Sequence, residues 1–288
     1  MNFQAYSSFQ KVVVIIIIIN VAISFMAFGN FRTFEKLKFR IGDILGKNKE
    51  YYRLFTSAFV HGGYLHLAIN MFVLHSFAAA LEYKGVGILQ FLIIYFVSLI
   101  IGNLLPLYIH RNNNDYSAVG ASGAVSGVLY ASIYLLPFHN LELYFIIKIP
   151  AWIFGILYLF YTVWAAKKGN DNIGHDAHFG GAVAGLLLIM YYFPDNMFIN
   201  WKIILAMFIP IVYFLYDTFL TKTTGSNYSF TNIGTTTSNR KIDDLYNVNR
   251  KNKIIELNEI LDKVREKGLE NLTTLEKNRL ESLSKELE

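Results

Sequence analysis

Long apolar runs with almost no charge constrain this chain more than any other feature. A bilayer's hydrocarbon core takes about 20 apolar residues in helical form, because only a helix or a closed barrel satisfies its own backbone there. Runs of that length predict seven spans, at 11–28, 59–81, 86–108, 118–137, 143–165, 176–193 and 200–220. Of the 288 residues, 54% are hydrophobic, more than an ordinary soluble domain carries. The expected fold class is therefore all-α, a polytopic membrane helix bundle with a short helical C-terminal tail.

Composition also excludes. The chain has no cysteine, so disulfides, thiol nucleophiles and cysteine metal sites are ruled out. A net charge of +5, spread over loops and tail, suits anionic lipid head groups. No basic strip interleaved with aromatics is present, so no nucleic-acid partner is expected. The first apolar run, Val12 to Phe28, follows only Lys11, and Phe28-Gly29-Asn30-Phe31-Arg32 lacks a small-x-small cleavage pattern. It reads as a retained span.

The fourth span is rich in Gly, Ala and Ser, with Gly120, Gly123 and Gly127 three and four residues apart. Gly181 and Gly185 form a GxxxG on the sixth. Small residues let membrane helices approach closely, and contact between these two would bring Ser122 to His178. Gly29 to Thr56, basic and aromatic, is too long for a turn and reads as a partly ordered membrane-surface element. Positive-inside counting would place it in the cytoplasm.

After Leu220 the character changes. Thr221 to Asn239 is rich in Ser, Thr, Asn and Gly, so 221–251 reads as a flexible linker. From 252 to 288 apolar residues return at helical spacing, as Ile254, Leu257, Leu261 and Val264, then Leu280, Leu283 and Leu287. Gly268 would stop a first helix, and Thr273 with Glu276 makes a capping box for a second. Such a pair would form a small hairpin, a self-association contact or a docking site, with its charges a solvated face.

Several polar residues sit where burial is expensive unless they have work to do. Ser122 lies between Ala121 and Gly123, where a missing Cβ lets a substrate backbone come close. The alternative for a membrane serine is a back-bond to its own helix. Ser126 is one turn deeper but lacks the preceding Gly-x. His178, on the glycine-bearing sixth span, suits a neutral general base, or else a structural histidine. His175 reads as a loop histidine nearer water. His66 and Asn70, four apart on one face, would aim donors at one point, or else bond between helices. His61 reads as a structural residue at the membrane interface. Asp176 reads as the N-cap of the sixth span. It is badly placed to orient His178, so a Ser-His dyad fits better than a triad. No HExxH motif is present, His175-Asp176-Ala177-His178 is a weak metal pattern, and Asp217 lies near a span end.

Three motifs in this order resemble the rhomboid family of intramembrane serine proteases. They are HxxxN (His66 to Asn70), GxSG (Gly120 to Gly123) and AHxxG (Ala177 to Gly181), and the resemblance covers about 11 to 195. Arg53 in the first loop and Glu82 at the end of the second span also match family positions. The resemblance implies a six-helix core over 1–195 and no cofactor; the apolar run within 196–220 reads as a seventh helix, which the simplest family members lack. It implies Ser122 as nucleophile and His178 as base, with Asn70, His66 and the Ser122 N–H around the oxyanion. It implies membrane-anchored protein substrates, a lid near 167–176, and the fifth span as a lateral gate. It puts the active site and the Gly29–Thr56 loop on the extracytoplasmic side, against the charge rule. Two positions depart from the family: Tyr52-Arg53 stands for Trp-Arg, and Ser126 for an aromatic that stacks on the histidine. That second change is expected to leave His178 without its packing partner.

Two other classes stand beside an active protease. A rhomboid-like pseudoprotease would bind membrane helices without cutting, and usually lacks the serine or the histidine. A transporter would show charges or broken helices at mid-membrane, of which these spans have few. The Ile-, Asn-, Lys- and Tyr-rich usage suggests a low-GC bacterium, hence its plasma membrane.

Overall fold

The computed structural model describes residues 7–143, 147–168, 174–220, 256–266 and 268–287. Its contacts divide the chain into two compact units, Met1–Phe25 with Lys36–Phe230, and Met26–Glu35 with Thr231–Glu288. Seven long helices are α1 (Ser8–Gly29), α2 (Tyr64–Tyr83), α3 (Ile88–Ile109), α4 (Ser122–Leu135), α5 (Ala151–Lys168), α6 (His175–Tyr192) and α7 (Trp201–Leu215). Among the described residues, four helices are long and apolar enough to cross a membrane: α1, α2, α3 and Trp201–Thr218. Ser122–Leu135 and Ala151–Ala166 are shorter apolar helices. The protein is a helical membrane bundle.

α4 is the hub. All its residues from Gly123 to Leu135 are buried, and α2, α3, α5 and α6 pack around it. At 1.5 Å per residue it is about 21 Å long, short of a hydrocarbon core of about 30 Å. The span begins four residues later than the sequence predicts. Ser117–Ala118 (β2) instead pairs antiparallel with Phe39–Arg40 (β1), and Gly120 turns the chain with φ +118°. The helix stops before Pro137, which drives the preceding residue out of helical geometry; Leu136 has φ −132°.

The glycines explain how tightly α6 fits. A Cβ on Gly181 would land on the Gly123 carbonyl, and one on Gly185 on the Gly127 carbonyl. The two GxxxG faces therefore meet backbone to backbone. Gly102 of α3 closes the third side, where a Cβ would lie 2.9 Å from the Ala177 carbonyl oxygen. Gly120, outside the helix, does not share this face.

Two further spans begin later than the hydropathy suggests. Gly62-Gly63 delays α2 to Tyr64, although 59–81 reads as apolar throughout. The proposed fifth span, 143–165, begins as a hairpin: Asn140–Leu143 (β3) pairs with Ile147–Pro150 (β4), and α5 starts at Ala151.

The Gly29–Thr56 segment is more ordered than expected. Phe39, Ile41 and Ile44 form a buried cluster with Leu54, Leu107, Tyr116 and Ala118. Buried Arg53 holds its polar side together through Asp43 at 3.2 Å, Glu50 at 2.6 Å and the Lys38 carbonyl at 2.9 Å. Arg53, and then the Tyr52 hydroxyl, hold the Glu50 carboxyl below the usual carboxylate range. Arg53→Ala is expected to lower stability by about 1–3 kcal/mol, because it strands acceptors built around a fixed fork of donors. Thermal unfolding in detergent reads this, and Arg53→Lys should recover little, since one ammonium cannot serve that geometry. Glu82 ends α2 and accepts a 2.5 Å hydrogen bond from the Ser7 hydroxyl, at the start of α1.

In the second unit, 256–266 and Thr274–Leu287 form a helical hairpin around Ile260, Leu272 and Leu283, with Leu257, Val264 and Leu280 packed against them. Gly268, at φ +80°, ends the first helix by closing onto the Val264 carbonyl at 2.9 Å. The capping box forms as predicted: Glu276 N–H donates to Thr273 Oγ1 at 3.3 Å, and Thr273 N–H to Glu276 Oε2 at 3.0 Å. Lys263, then Thr273, draw the Glu276 carboxyl from the usual 4.5 to about 2. A depressed folded-state value means the contact stabilises the hairpin above the unfolded value and is lost as pH falls toward about 2. Protection factors for the 274–278 amides are expected to hold above the usual value of 4.5 and to fall progressively as pH drops from there toward about 2, and Glu276→Gln should flatten that dependence. Linker positions 221–251 and Ile254 lie outside the described residues.

Candidate active site

Close contact of α4 and α6 has a direct consequence. Ser122 is the first residue of α4 and His178 lies one turn into α6, and Ser122 Oγ is 2.7 Å from His178 Nε2. Both side chains are partly exposed, so a bound group can reach them. A serine hydrogen-bonded to an imidazole nitrogen is the arrangement in which the imidazole accepts the hydroxyl proton as oxygen attacks.

The loop before Ser122 is held from two sides. Gly120 N–H donates to the Ser57 carbonyl at 2.9 Å. A Cβ on Gly120 would meet His66 Cε1 at 2.7 Å and Nε2 at 2.9 Å, and the positive φ disfavours a side chain in any case. Thus His66 reaches the GxSG loop through Gly120. Its Nδ1 accepts from Gly62 N–H at 3.4 Å, which leaves Nε2 as the N–H donor on the Gly120 side.

Asn70 is buried one turn further along α2, and its Nδ2 donates to the His66 carbonyl at 2.9 Å. An amide has two N–H groups, so this bond leaves a second for a bound oxygen. The helices thus bring Ser122 to His178 and His66 to Gly120. Asn70 is brought to the His66 end of the same helix.

His61 is fully buried within the protein. Its Nε2 accepts from Ala121 N–H at 3.4 Å, so Nδ1 carries the proton and donates to Ser24 Oγ at 2.8 Å. Ser24 in turn donates to the Phe59 carbonyl at 3.0 Å. These contacts fit the structural role expected of it and fasten the GxSG loop to α1. Its ring stands edge-on to His66 at 5.1 Å.

Three other readings change. Asp176 is not the N-cap of α6; Gly174 holds that place, and the Asp176 carboxylate binds His110 Nε2 at 2.6 Å, both side chains buried. His110 stacks on Tyr116 at 4.1 Å, so this pair ties the start of α6 to the end of α3. His175 is no loop residue: it opens α6, is buried, and stands edge-on to His178 at 5.7 Å.

Nor does Ser126 leave His178 alone. Tyr158 of α5 lies with its hydroxyl 3.2 Å from His178 Nδ1 and 3.4 Å from Ser126 Oγ. A small residue at 126 makes the room for a tyrosine arriving from another helix. No motif marks Tyr158, one of 19 tyrosines, and the sequence offered no signal for it. Among the described residues no group of three or more His, Asp or Glu is placed to hold a metal ion.

A bundle with a short central helix, a serine at its head and a histidine on its glycine-packed neighbour defines a class of membrane protein. The chain matches the family model of the Rhomboid domain over residues 48–195, about half its length, and it belongs to the rhomboid family. It is 36% identical over 147 residues to the putative rhomboid protease YdcA of Bacillus subtilis (strain 168), covering 49% of this chain and 67% of that protein. It is 29% identical over 156 residues to RHOMBOID-like protein 12, mitochondrial, of Arabidopsis thaliana, covering 49% of this chain and 46% of that one. Inactive rhomboid protein 1 of Drosophila melanogaster is 30% identical over 151 residues, 51% of this chain and 10% of that protein. Residues 240–286 match a family of unknown function (DUF6576).

Proposed function

We propose that this protein is an active intramembrane serine endopeptidase that cuts membrane-anchored proteins in or beside their transmembrane segment. The observation that carries the reading is the 2.7 Å contact between Ser122 Oγ and His178 Nε2. A pseudoprotease is the second reading, since the relatives include one described as inactive. The presence of both residues in bonding contact favours cleavage.

In this mechanism Ser122 attacks the scissile carbonyl carbon while His178 Nε2 takes the hydroxyl proton. The oxyanion is held by the Ser122 N–H at the head of α4, the second N–H of Asn70, and His66 Nε2–H. Collapse of the tetrahedral intermediate breaks the C–N bond, and His178 returns its proton to the leaving amine. Water, with His178 again as base, then hydrolyses the acyl-Ser122 ester. No cofactor takes part.

The family acts on transmembrane substrates within the membrane, and this multi-pass protein would do so in a bacterial plasma membrane, with the site toward the extracytoplasmic side. α5 would serve as lateral gate and 167–176 as lid; of these, 169–173 lie outside the described residues. Residues 1–195 form the protease core and 196–220 a seventh membrane helix in this account. The linker 221–251 carries the tail 252–288, which would serve self-association or docking.

The test is reconstitution with a single-span reporter in proteoliposomes. Wild type is expected to release fragments whose new ends, mapped by mass spectrometry, lie in or next to the span. A reporter that stays intact yet co-purifies with the protein would favour the pseudoprotease instead.

A further inference from the structure

We propose that Tyr158 is a positioning residue that fixes the proton of His178 on Nδ1, so that Nε2 faces Ser122 as the base. The inference rests on the protease reading of Ser122 and His178 and adds a third residue to it. His178 touches Ser122 with Nε2 at 2.7 Å and Tyr158 Oη with Nδ1 at 3.2 Å. A neutral imidazole carries one proton, and only one tautomer lets Nε2 accept from the serine. In that tautomer Nδ1–H donates to the phenol oxygen, and the phenol O–H points on to Ser126 Oγ, 3.4 Å away. The reverse direction, phenol O–H to Nδ1, would protonate Nε2 and disable the base. Ser126 is what permits the productive direction, because its oxygen accepts the phenol proton.

The tyrosine is itself held. Its ring packs near-parallel to Phe154 at 5.8 Å and against Tyr130 at 6.2 Å, and Tyr130 in turn donates to the Gly155 carbonyl. The Tyr158 and His178 rings are 6.4 Å apart and 17° from parallel. At that offset the hydroxyl, not the ring face, makes the contact. The group that orients the base here is therefore a hydroxyl from α5, taking the orienting role that a carboxylate has in a triad while adding no buried charge. Because α5 carries neither Ser122 nor His178, displacement of α5 relative to α6 would release the base.

Tyr158→Phe keeps the ring and removes the hydroxyl. In the reporter assay kcat is expected to fall roughly three- to ten-fold, as for loss of one neutral hydrogen bond, with KM unchanged. Nitrogen-15 NMR of labelled histidine, with His178 assigned from His178→Gln, should show Nδ1–H alone in wild type and an Nε2–H population in Tyr158→Phe. An unchanged kcat in Tyr158→Phe, or Nε2–H at His178 in wild type, would overturn the inference while leaving the protease reading standing. A wild type that cleaves nothing would overturn the protease reading, and the tautomer shift would still decide whether Tyr158 sets the imidazole.

Discussion

Ser122→Ala and His178→Ala are each expected to lower cleavage by roughly 10⁴-fold or more, and the double substitution by little beyond either alone. In the proposed mechanism the two side chains act as one unit across their 2.7 Å contact, so removing either would remove the covalent route. Asn70→Ala should be milder, on the order of 10²–10³, corresponding to about 2.7–4 kcal/mol for one oxyanion donor. None of the three should disturb folding much: Ser122 and His178 are partly exposed, and Asn70 bonds within its own helix. Initial rates with matched protein amounts, alongside thermal unfolding, separate lost chemistry from lost fold.

The second large effect is structural and lies one turn from the histidine. Gly181→Val is expected to cost about 3 kcal/mol or more, at the upper end for overpacking, because its Cβ would occupy the Gly123 carbonyl. Backbone cannot rotate away as a side chain can, so α4 and α6 must part. Parting them also draws Ser122 from His178, and activity should fall with stability. Gly29→Ala is the control: nothing lies within 4 Å of its Cβ position, and stability should change by less than about 0.5 kcal/mol. Thermal unfolding in detergent compares the two. If Gly181→Val unfolds like wild type, the backbone-to-backbone account of this crossing is wrong.

What the sequence revealed follows from how local the physics is. GxxxG spacing predicts a close helix crossing because helical periodicity alone puts the two glycines on one face, and Gly181 and Gly185 do pack on Gly123 and Gly127. Ser122 and His178 sit at the ends of that contact, so their meeting was legible. The tail capping box was legible for the same reason, since Thr273 and Glu276 are three residues apart.

Long-range pairing was hidden. The β1–β2 ladder joins segments 75 or more positions apart that are two residues long and leave no periodicity. Asp176 reads locally as a cap, and only the arrival of His110 from α3 redirects its carboxylate. Tyr158 is the clearest instance. On its own helix it is one more aromatic facing the bundle, and the loss of an aromatic at Ser126 read as a weakness. In the structure the Tyr158 hydroxyl lies between Ser126 and His178, a contact visible only once α4, α5 and α6 are placed together.

The measurement that tests the central claim most directly is covalent trapping with a fluorophosphonate on the reconstituted wild type, with the modified residue located by mass spectrometry. The account predicts one adduct, on the peptide bearing Ser122, that fails to form in Ser122→Ala and forms far more slowly in His178→Ala. An adduct on Ser126 or another serine, or no adduct in a protein that still cleaves its reporter, would contradict it.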